Sequence, residues 1–266
     1  MSNFIKNLRL NVASWANKNI VDLTEDSQIR SLMTSLHPIT CEKKLIRLGS
    51  ALDGGYLVPD DFVGIEHCFS PGVAYASDLE YACAERGMGV FMADKSVDQP
   101  AVQHERFHFT KKYIGVTTND KFMTLDDWVA SSVADRESEL FLQIDIEGFE
   151  YEVFLAASDR LMRRFRIIVA EFHRLDHLWA KPFFKIASRA FEKILQTHSC
   201  VHSHPNNARG VVSKGDLVLP LTLELTFLRK DRISEYKYAK IFPHPFDSDN
   251  VAGKPSLVLP PCWYRA

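Results

Sequence analysis

The sequence predicts a doubly wound α/β fold, a mostly parallel sheet with helices on both faces. Three observations carry that expectation. From Ile65 onward, short apolar runs alternate with amphipathic stretches, the pattern of strands joined by helical crossovers. Two runs, "ELFLQIDI" and "FRIIVAEFH", are apolar enough to be central strands covered on both faces. Polar residues then recur where runs end: Asp94, Asp145, Glu171 with His173, and His204. In a parallel sheet these ends share one edge, where such folds bind ligands.

Residues 1–44 read as a helical or irregular lead-in, with Pro38 breaking any helix. Within it, Phe4, Ile5, Leu8, Val12 and Trp15 share one helical face, accompanied by Lys6, Arg9 and Lys18. Such a face docks on its own domain or a second subunit, or touches a membrane surface peripherally through residues 1–20. "IEHCFS" is the first strand of the alternating region, "PGVAYAS" a turn and "DLEYACAERG" a helix. Ser77 and Glu80 have capping-box spacing, and Gly87 is placed to end that helix. "MGVFMAD" and "FHFTKKYIG" continue as strands, and "TLDDWVASS" is a helix with Thr124 as its cap. "EYEVFLAAS" and "WAKPFFKIASRAFEKILQTHS" are helical, "RLMRRFR" is a helix-to-strand corner, and "CVHSHPNN" enters a turn. "LTLELTFLRK" alternates as a strand does, and the Pro-rich tail from Asp231 wraps the surface.

Composition bounds the function classes. The chain has 266 residues, 46% hydrophobic and 25% charged, which suits one large α/β domain. A net charge of −2 leaves no global field to recruit nucleic acid. No apolar run reaches the ~18 residues of a membrane span. The cysteines are five in number and form no CxxC, which argues against a zinc-thiolate site and for a reduced cytoplasmic setting.

The acidic burst in "LFLQIDIEGFEYEVFLAA" has a local explanation in part. Asp145 closes a strand, and Glu147 and Glu150 are expected to begin the next helix, where acid is favourable. Gly72 in "FSPGVAYASDLE" lets a ligand approach the backbone before a helix N-terminus, although by itself an ordinary β–α turn is the default reading. Asp94 suits the hydroxyls of a ribose or simply solvates a loop start. Asp145, Glu171, His173 and His204 combine carboxylates with imidazoles, the groups of general-base work or of a divalent metal site.

Taken in order, "RLGSALDGGYLVPDD", "FSPGVAYASDLE", "VFMADKSVD", "MTLDDWV", "LQIDIEGFEYEVF", "IVAEFH", "HSHPNN" and "LELTFLR" resemble the FkbM-type family of S-adenosylmethionine-dependent O-methyltransferases. The resemblance implies a seven-stranded, Rossmann-like class I methyltransferase sheet whose last strand, "LTLELTFLRK", is antiparallel. It implies cofactor contacts from Ser70, Pro71 and Gly72, from Asp78 or Glu80, and from Asp145. Asp94, with Lys95 and Ser96, would take the ribose. Arg47 and the Asp53, Gly54, Gly55, Tyr56 turn would complete the pocket. The methyltransferase domain would span 45–232, with 1–44 as lead-in and 233–266 as a tail packed on it.

Family members commonly methylate hydroxyls of sugars. The implied acceptor is therefore a carbohydrate of surface-polysaccharide or glycolipid assembly, free, lipid-linked or presented by a glycosyltransferase. His204 or His173 would take the hydroxyl proton while Asp145 and Glu171 orient the base; alternatively Asp145, Glu171 and His204 would hold Mg²⁺ or Mn²⁺. Two other readings stay open at this point. One is a metal-dependent hydrolase using Asp145, Glu171, His173 and His204, and the other a binding module without turnover.

Overall fold

The computed structural model describes residues 21–73 and 76–264; the amphipathic face expected over Phe4–Trp15 lies outside them. The chain opens with α1 (Asp26–Ser35), β1 (Ile39–Cys41) and a hairpin of β2 (Leu45–Gly49) and β3 (Gly55–Pro59). The alternating region follows as β4 (Ile65–Pro71), α2 (Asp78–Glu85), β5 (Gly89–Ala93) and β6 (Phe107–Thr110). A two-stranded pair, β7 (Tyr113–Gly115) and β8 (Phe122–Thr124), leads into α3 (Leu125–Ser132) and β9 (Glu139–Ile144). Next come α4 (Glu150–Ala156), α5 (Asp159–Arg164), β10 (Phe165–His173) and α6 (Lys181–Thr197). The last elements are β11 (His198–Pro205), β12 (Val211–Lys214), β13 (Leu217–Pro220), β14 (Thr222–Arg229) and β15 (Tyr236–Tyr238).

Seven strands form the main sheet in the order β11-β14-β10-β9-β4-β5-β6. All pairings from β6 across to β10 are parallel, whereas β14 runs antiparallel to both β10 and β11. This is the doubly wound sheet the sequence predicts, with the last strand of the sheet reversed. The chain order reverses direction between β4 and β9, so a crevice opens there at the carboxyl edge.

Strand alternation divides the interior into two cores. On β9 and β10, Leu140, Leu142, Ile144, Phe165, Ile168, Ala170 and Phe172 pack with α1, α3, α4 and α6. The intervening Phe141, Ile167 and Val169 face the other side, where the hairpin and α2 contribute Leu48, Tyr56, Val58, Leu79 and Cys83. Two local start signals work as chemistry requires. Thr124 accepts a bond from the Asp127 amide, and Ser158 from the Leu161 amide, satisfying first-turn donors of α3 and α5.

Four expectations are corrected. The capping box at α2 does not form: Ser77 makes no cap bond and Glu80 turns inward to Ser70. "FHFTKKYIG" is two short strands in different sheets rather than one. "CVHSHPNN" enters its turn only from Asn207, its greater part being an edge strand, because pairing with β14 outweighs its weak strand propensity. Finally, the lead-in is not wholly helical or irregular, since β1 pairs antiparallel with β15 of the tail. The tail also buries Trp263, whose indole N–H donates to the Val218 carbonyl.

Among the described residues, no helix is long and apolar enough to cross a membrane. The five cysteines are free thiols.

Candidate active site

Two cavities meet at the carboxyl edge of β4, β5 and β9. The larger, of about 560 Å³, is bounded by Asp94 and Ser96 and walled by Val97, Tyr113, Ile114, Phe122 and Phe149. The smaller, of about 290 Å³, is polar: Asp53, Gly54, Tyr56, Asp78, Glu80 and Gln143 line it. Gly72 and Asp145 line both. A separate cavity of about 530 Å³ lies away from these, between α1, the start of β11 and β15.

Gly72 makes this junction possible. Its φ is +93°, and a Cβ placed there would stand 1.6 Å from the Asp145 carbonyl oxygen. The loops after β4 and β9 therefore touch backbone to backbone, a closeness available only to glycine. Just below, Ser70 Oγ lies 2.5 Å from Glu80 Oε1 and 2.7 Å from Gln143 Oε1. Its one proton serves one acceptor, so a second proton, from the Glu80 carboxyl or a turned-over Gln143 amide, completes the other bond; burial pushes the Glu80 carboxyl up.

Beyond Asp145 the polar row continues across the sheet. Glu171 of β10 stands opposite Glu224 of β14, which stands opposite His204 of β11. The two edges of the sheet treat their acids differently. At the amino edge, Glu139 pairs with Arg166 and Arg229, and Asp61 is held by Arg232 at 2.8 Å. Burial opposes charge on Asp61 and Glu139, but the guanidiniums outweigh it and hold both carboxyls below the usual range.

At the carboxyl edge, Asp145, Glu171 and Glu224 have no Arg or Lys ion-pair partner among the described residues. Burial pushes Asp145 up to about 7, opposed by His173 and reinforced by Glu150, Glu147 and Asp53. Burial, then Asp145 and Glu224, lift Glu171 well above the usual range. Glu224 is pushed up to about 7 by burial, against His204 and an Asn250 hydrogen bond. Clustered, unmatched carboxyls of this kind mark a place that awaits a ligand.

His173 is the imidazole nearest Asp145, with Nε2 3.8 Å from Oδ1. Its orientation comes from Glu150, which is fully buried and lies 3.1 Å from His173 Nδ1. The same Glu150 oxygen accepts from the Ile146 and Gly148 amides. It thereby fixes a tight loop in which Glu147 has φ +56° and Gly148 φ +102°. A non-glycine residue there is strained by roughly 1–2 kcal/mol, which the Glu150 bonds help offset. Two expectations change accordingly. Glu147 precedes the helix instead of beginning it, and Glu150, although first in α4, is a buried anchor.

Several sequence-selected residues lie outside these two cavities. Arg47 donates from Nε to the Ser50 carbonyl at 2.7 Å and from a terminal nitrogen to the Leu52 carbonyl at 3.0 Å, bracing the hairpin turn. Gly55 closes that turn, where a Cβ would meet the Ser50 carbonyl at 1.9 Å. The carbonyl of Pro71 accepts from the Asp145 amide. Asp94 accepts from the amide and hydroxyl of Ser96 at 2.6 Å each, while Lys95 does not line the cavity. His204 turns Nδ1 toward Asp247 at 3.7 Å.

Asp247 and Asn250 of the tail escaped sequence reasoning, as did Glu224. Asp247 lies 2.8 Å from His202 Nε2, and Asn250 bridges Asp53 (3.1 Å) and Glu224 (2.5 Å) through Nδ2. Glu224 was within reach of the sequence: in "LTLELTF" it alternates with Thr222 and Thr226 on one face. The tail residues carry no comparable signal.

Residues 63–198 match the methyltransferase FkbM domain. The chain belongs to that family. The FkbM match takes in Gly72, Asp94, Asp145, Glu150, Glu171 and His173; the hairpin, His204, Glu224 and the tail lie outside it. No curated protein matches the chain. Among solved structures, one similar chain is a prophage-encoded protein of E. coli assigned to the DNA modification methyltransferases. It shares 11% identity and a TM-score of 0.41 over 63% of this chain and 47% of its own, so this chain spans about half its length. Another is a Burkholderia thailandensis 1,6-didemethyltoxoflavin-N1-methyltransferase, with 13% identity, a TM-score of 0.34 and 85% of each chain covered. A third is a 16S rRNA (adenine(1408)-N(1))-methyltransferase variant from Catenulisporales acidiphilia, with 10% identity, a TM-score of 0.30, and 71% and 98% covered.

Proposed function

We propose that this FkbM-domain chain transfers the methyl group of S-adenosylmethionine to a hydroxyl of a carbohydrate acceptor. The observation that carries the reading is the junction at Gly72 and Asp145 between an apolar cavity beside Asp94 and a polar one beside Asp53 and Glu80. Adenosine is flat and apolar with a diol at one side, and suits the first. The methionine portion carries an ammonium and a carboxylate, and suits the second. With the two parts so divided, the sulfonium comes to the junction, where the Asp145 carboxylate favours its positive charge.

Methyl transfer requires the acceptor oxygen in line with the S–CH₃ bond, and alignment alone contributes up to about 7–11 kcal/mol. The polar row of Glu171, Glu224 and His204, with Asn206 donating to Glu171 at 2.9 Å, continues across the sheet from Asp145 and carries hydrogen-bonding groups suited to a sugar. Glu171 takes the hydroxyl proton in this reading. Burial and neighbouring acids lift its carboxyl well above the usual range, which makes the ionised form a stronger proton acceptor. The carbohydrate class rests on the family resemblance and on this row of polar groups.

The test pairs turnover with binding. Glu171→Gln should lower methyl transfer to a panel of sugars by roughly 10²–10⁴-fold while leaving S-adenosylhomocysteine affinity unchanged. Full activity in that variant would remove Glu171 from the base role. Turnover of acceptors without S-adenosylmethionine would favour a hydrolase.

A further inference from the structure

Hydrogen bonding does not account for how His173 is surrounded. The residue is 6% exposed, with Nδ1 committed to Glu150. Nε2 faces Glu147 Oε2 at 3.6 Å, Asp145 Oδ1 at 3.8 Å and Glu171 Oε1 at 3.8 Å. All three distances exceed a hydrogen bond. Asp145 Oδ1 is itself enclosed and has no partner. Two buried polar atoms thus face each other across a gap that neither fills.

That spacing matches ligands around one ion. Ligand atoms about 2.1 Å from an octahedral ion stand about 3.0 Å apart when adjacent and about 4.2 Å when opposite, and the gaps from Nε2 fall between these limits. One ligand atom each from Asp145, Glu147 and His173 lie within 4.8 Å of one another. A metal-ligating histidine characteristically gives its other N–H to a carboxylate, the place Glu150 occupies. A second acidic group, Asp53, Glu171 and Glu224, is equally close-set but offers no nitrogen. There the Asn250 amide already donates to Asp53 and Glu224.

We propose that Asp145 Oδ1, Glu147 Oε2 and His173 Nε2 hold a divalent cation, with Glu150 as the positioning residue that leaves the Nε2 lone pair turned inward. Two carboxylates and one imidazole suit Mn²⁺ or Mg²⁺. This replaces the Asp145, Glu171, His204 set that the sequence offers. The ion's role rests on the methyl-transfer reading: beside Asp145 it would polarise the acceptor hydroxyl.

The test uses the full chain, stripped with chelator and titrated with MnCl₂ alone while free Mn²⁺ is followed by electron paramagnetic resonance. One ion should bind per chain, and its spin-echo decay should carry modulation from a histidine nitrogen. Asp145→Asn and His173→Gln should each weaken binding by about tenfold or more, and Glu150→Gln should also weaken it. Glu147→Gln should weaken it too, and because that side chain is 74% exposed the variant leaves the packed interior untouched. No stoichiometric binding, absent nitrogen modulation, or Glu147→Gln binding at wild-type strength would each overturn the proposal. S-adenosylhomocysteine binding is measured alongside. If it binds and Mn²⁺ does not, the cofactor reading stands without the metal. If neither binds, the functional reading falls as well.

Discussion

Replacing Gly72 by alanine should damage the site more than any other single methyl group. The added Cβ would stand 1.6 Å from the Asp145 carbonyl oxygen and 2.7 Å from its carbon. Neither neighbour is a flexible side-chain end, so one loop must move by more than an ångström. The residue also keeps φ +93°, where an L side chain costs roughly 1–2 kcal/mol. Forced repacking adds about 1–3 kcal/mol.

Gly210→Ala separates the two effects, because Gly210 has φ +78° but nothing within 4 Å of its Cβ position. Thermal unfolding should show both variants destabilised, with Gly72→Ala lower by a further few degrees, at about 2–4 °C per kcal/mol. Calorimetry should show Gly210→Ala binding S-adenosylhomocysteine normally. Gly72→Ala should bind it on the order of 100-fold more weakly, the scale of loss associated with ångström-level misplacement. If Gly72→Ala melts with Gly210→Ala and binds as wild type does, the close approach of the two loops is not what the site depends on.

Two further outcomes follow from other parts of the molecule. Asp94→Ala should weaken S-adenosylhomocysteine by about tenfold to a hundredfold, since charged hydrogen bonds are worth about 1.5–3 kcal/mol. Its melting temperature should hardly change, because the Asp94 side chain bonds only within its own loop, to Ser96, and its backbone bond to Thr110 survives the substitution. His198 is fully buried, with Nε2 2.8 Å from the Phe165 carbonyl, and burial lowers it from 6.5 to about 4. Between those values the unfolded chain takes up a proton that the folded chain refuses, so stability must fall as pH drops from 6.5 toward 4. The full effect is about 3 kcal/mol, read as the difference between wild-type and His198→Gln urea unfolding across that range. Parallel curves for the two proteins would refute it.

The strands that build the site were legible because burial on both faces leaves continuous apolar runs, as in "ELFLQIDI" and "FRIIVAEFH". Gln143 and Asp145 stand out within such a run for the same reason. β14 was legible through its alternation, and its reversed direction followed from the resemblance. β11 was legible only at its end, at His204, since its His and Ser residues carry a weak strand signal until β14 supplies a partner. Glu80 obeyed a local capping rule in sequence, yet a buried serine across the fold claimed it. The tail contacts were least accessible. Asn250 meets Asp53 across 197 positions, and no local pattern encodes a bond of that separation.

Cofactor binding decides whether this chain is a methyltransferase of the kind proposed. Calorimetric titration of the full chain with S-adenosylmethionine and S-adenosylhomocysteine, with NAD as control, tests it most directly. The predicted result is saturable one-to-one binding of both sulfur nucleosides, weakened on the order of 100-fold in Gly72→Ala, and no heat with NAD. Absence of binding with and without Mn²⁺, or preference for NAD, would contradict it.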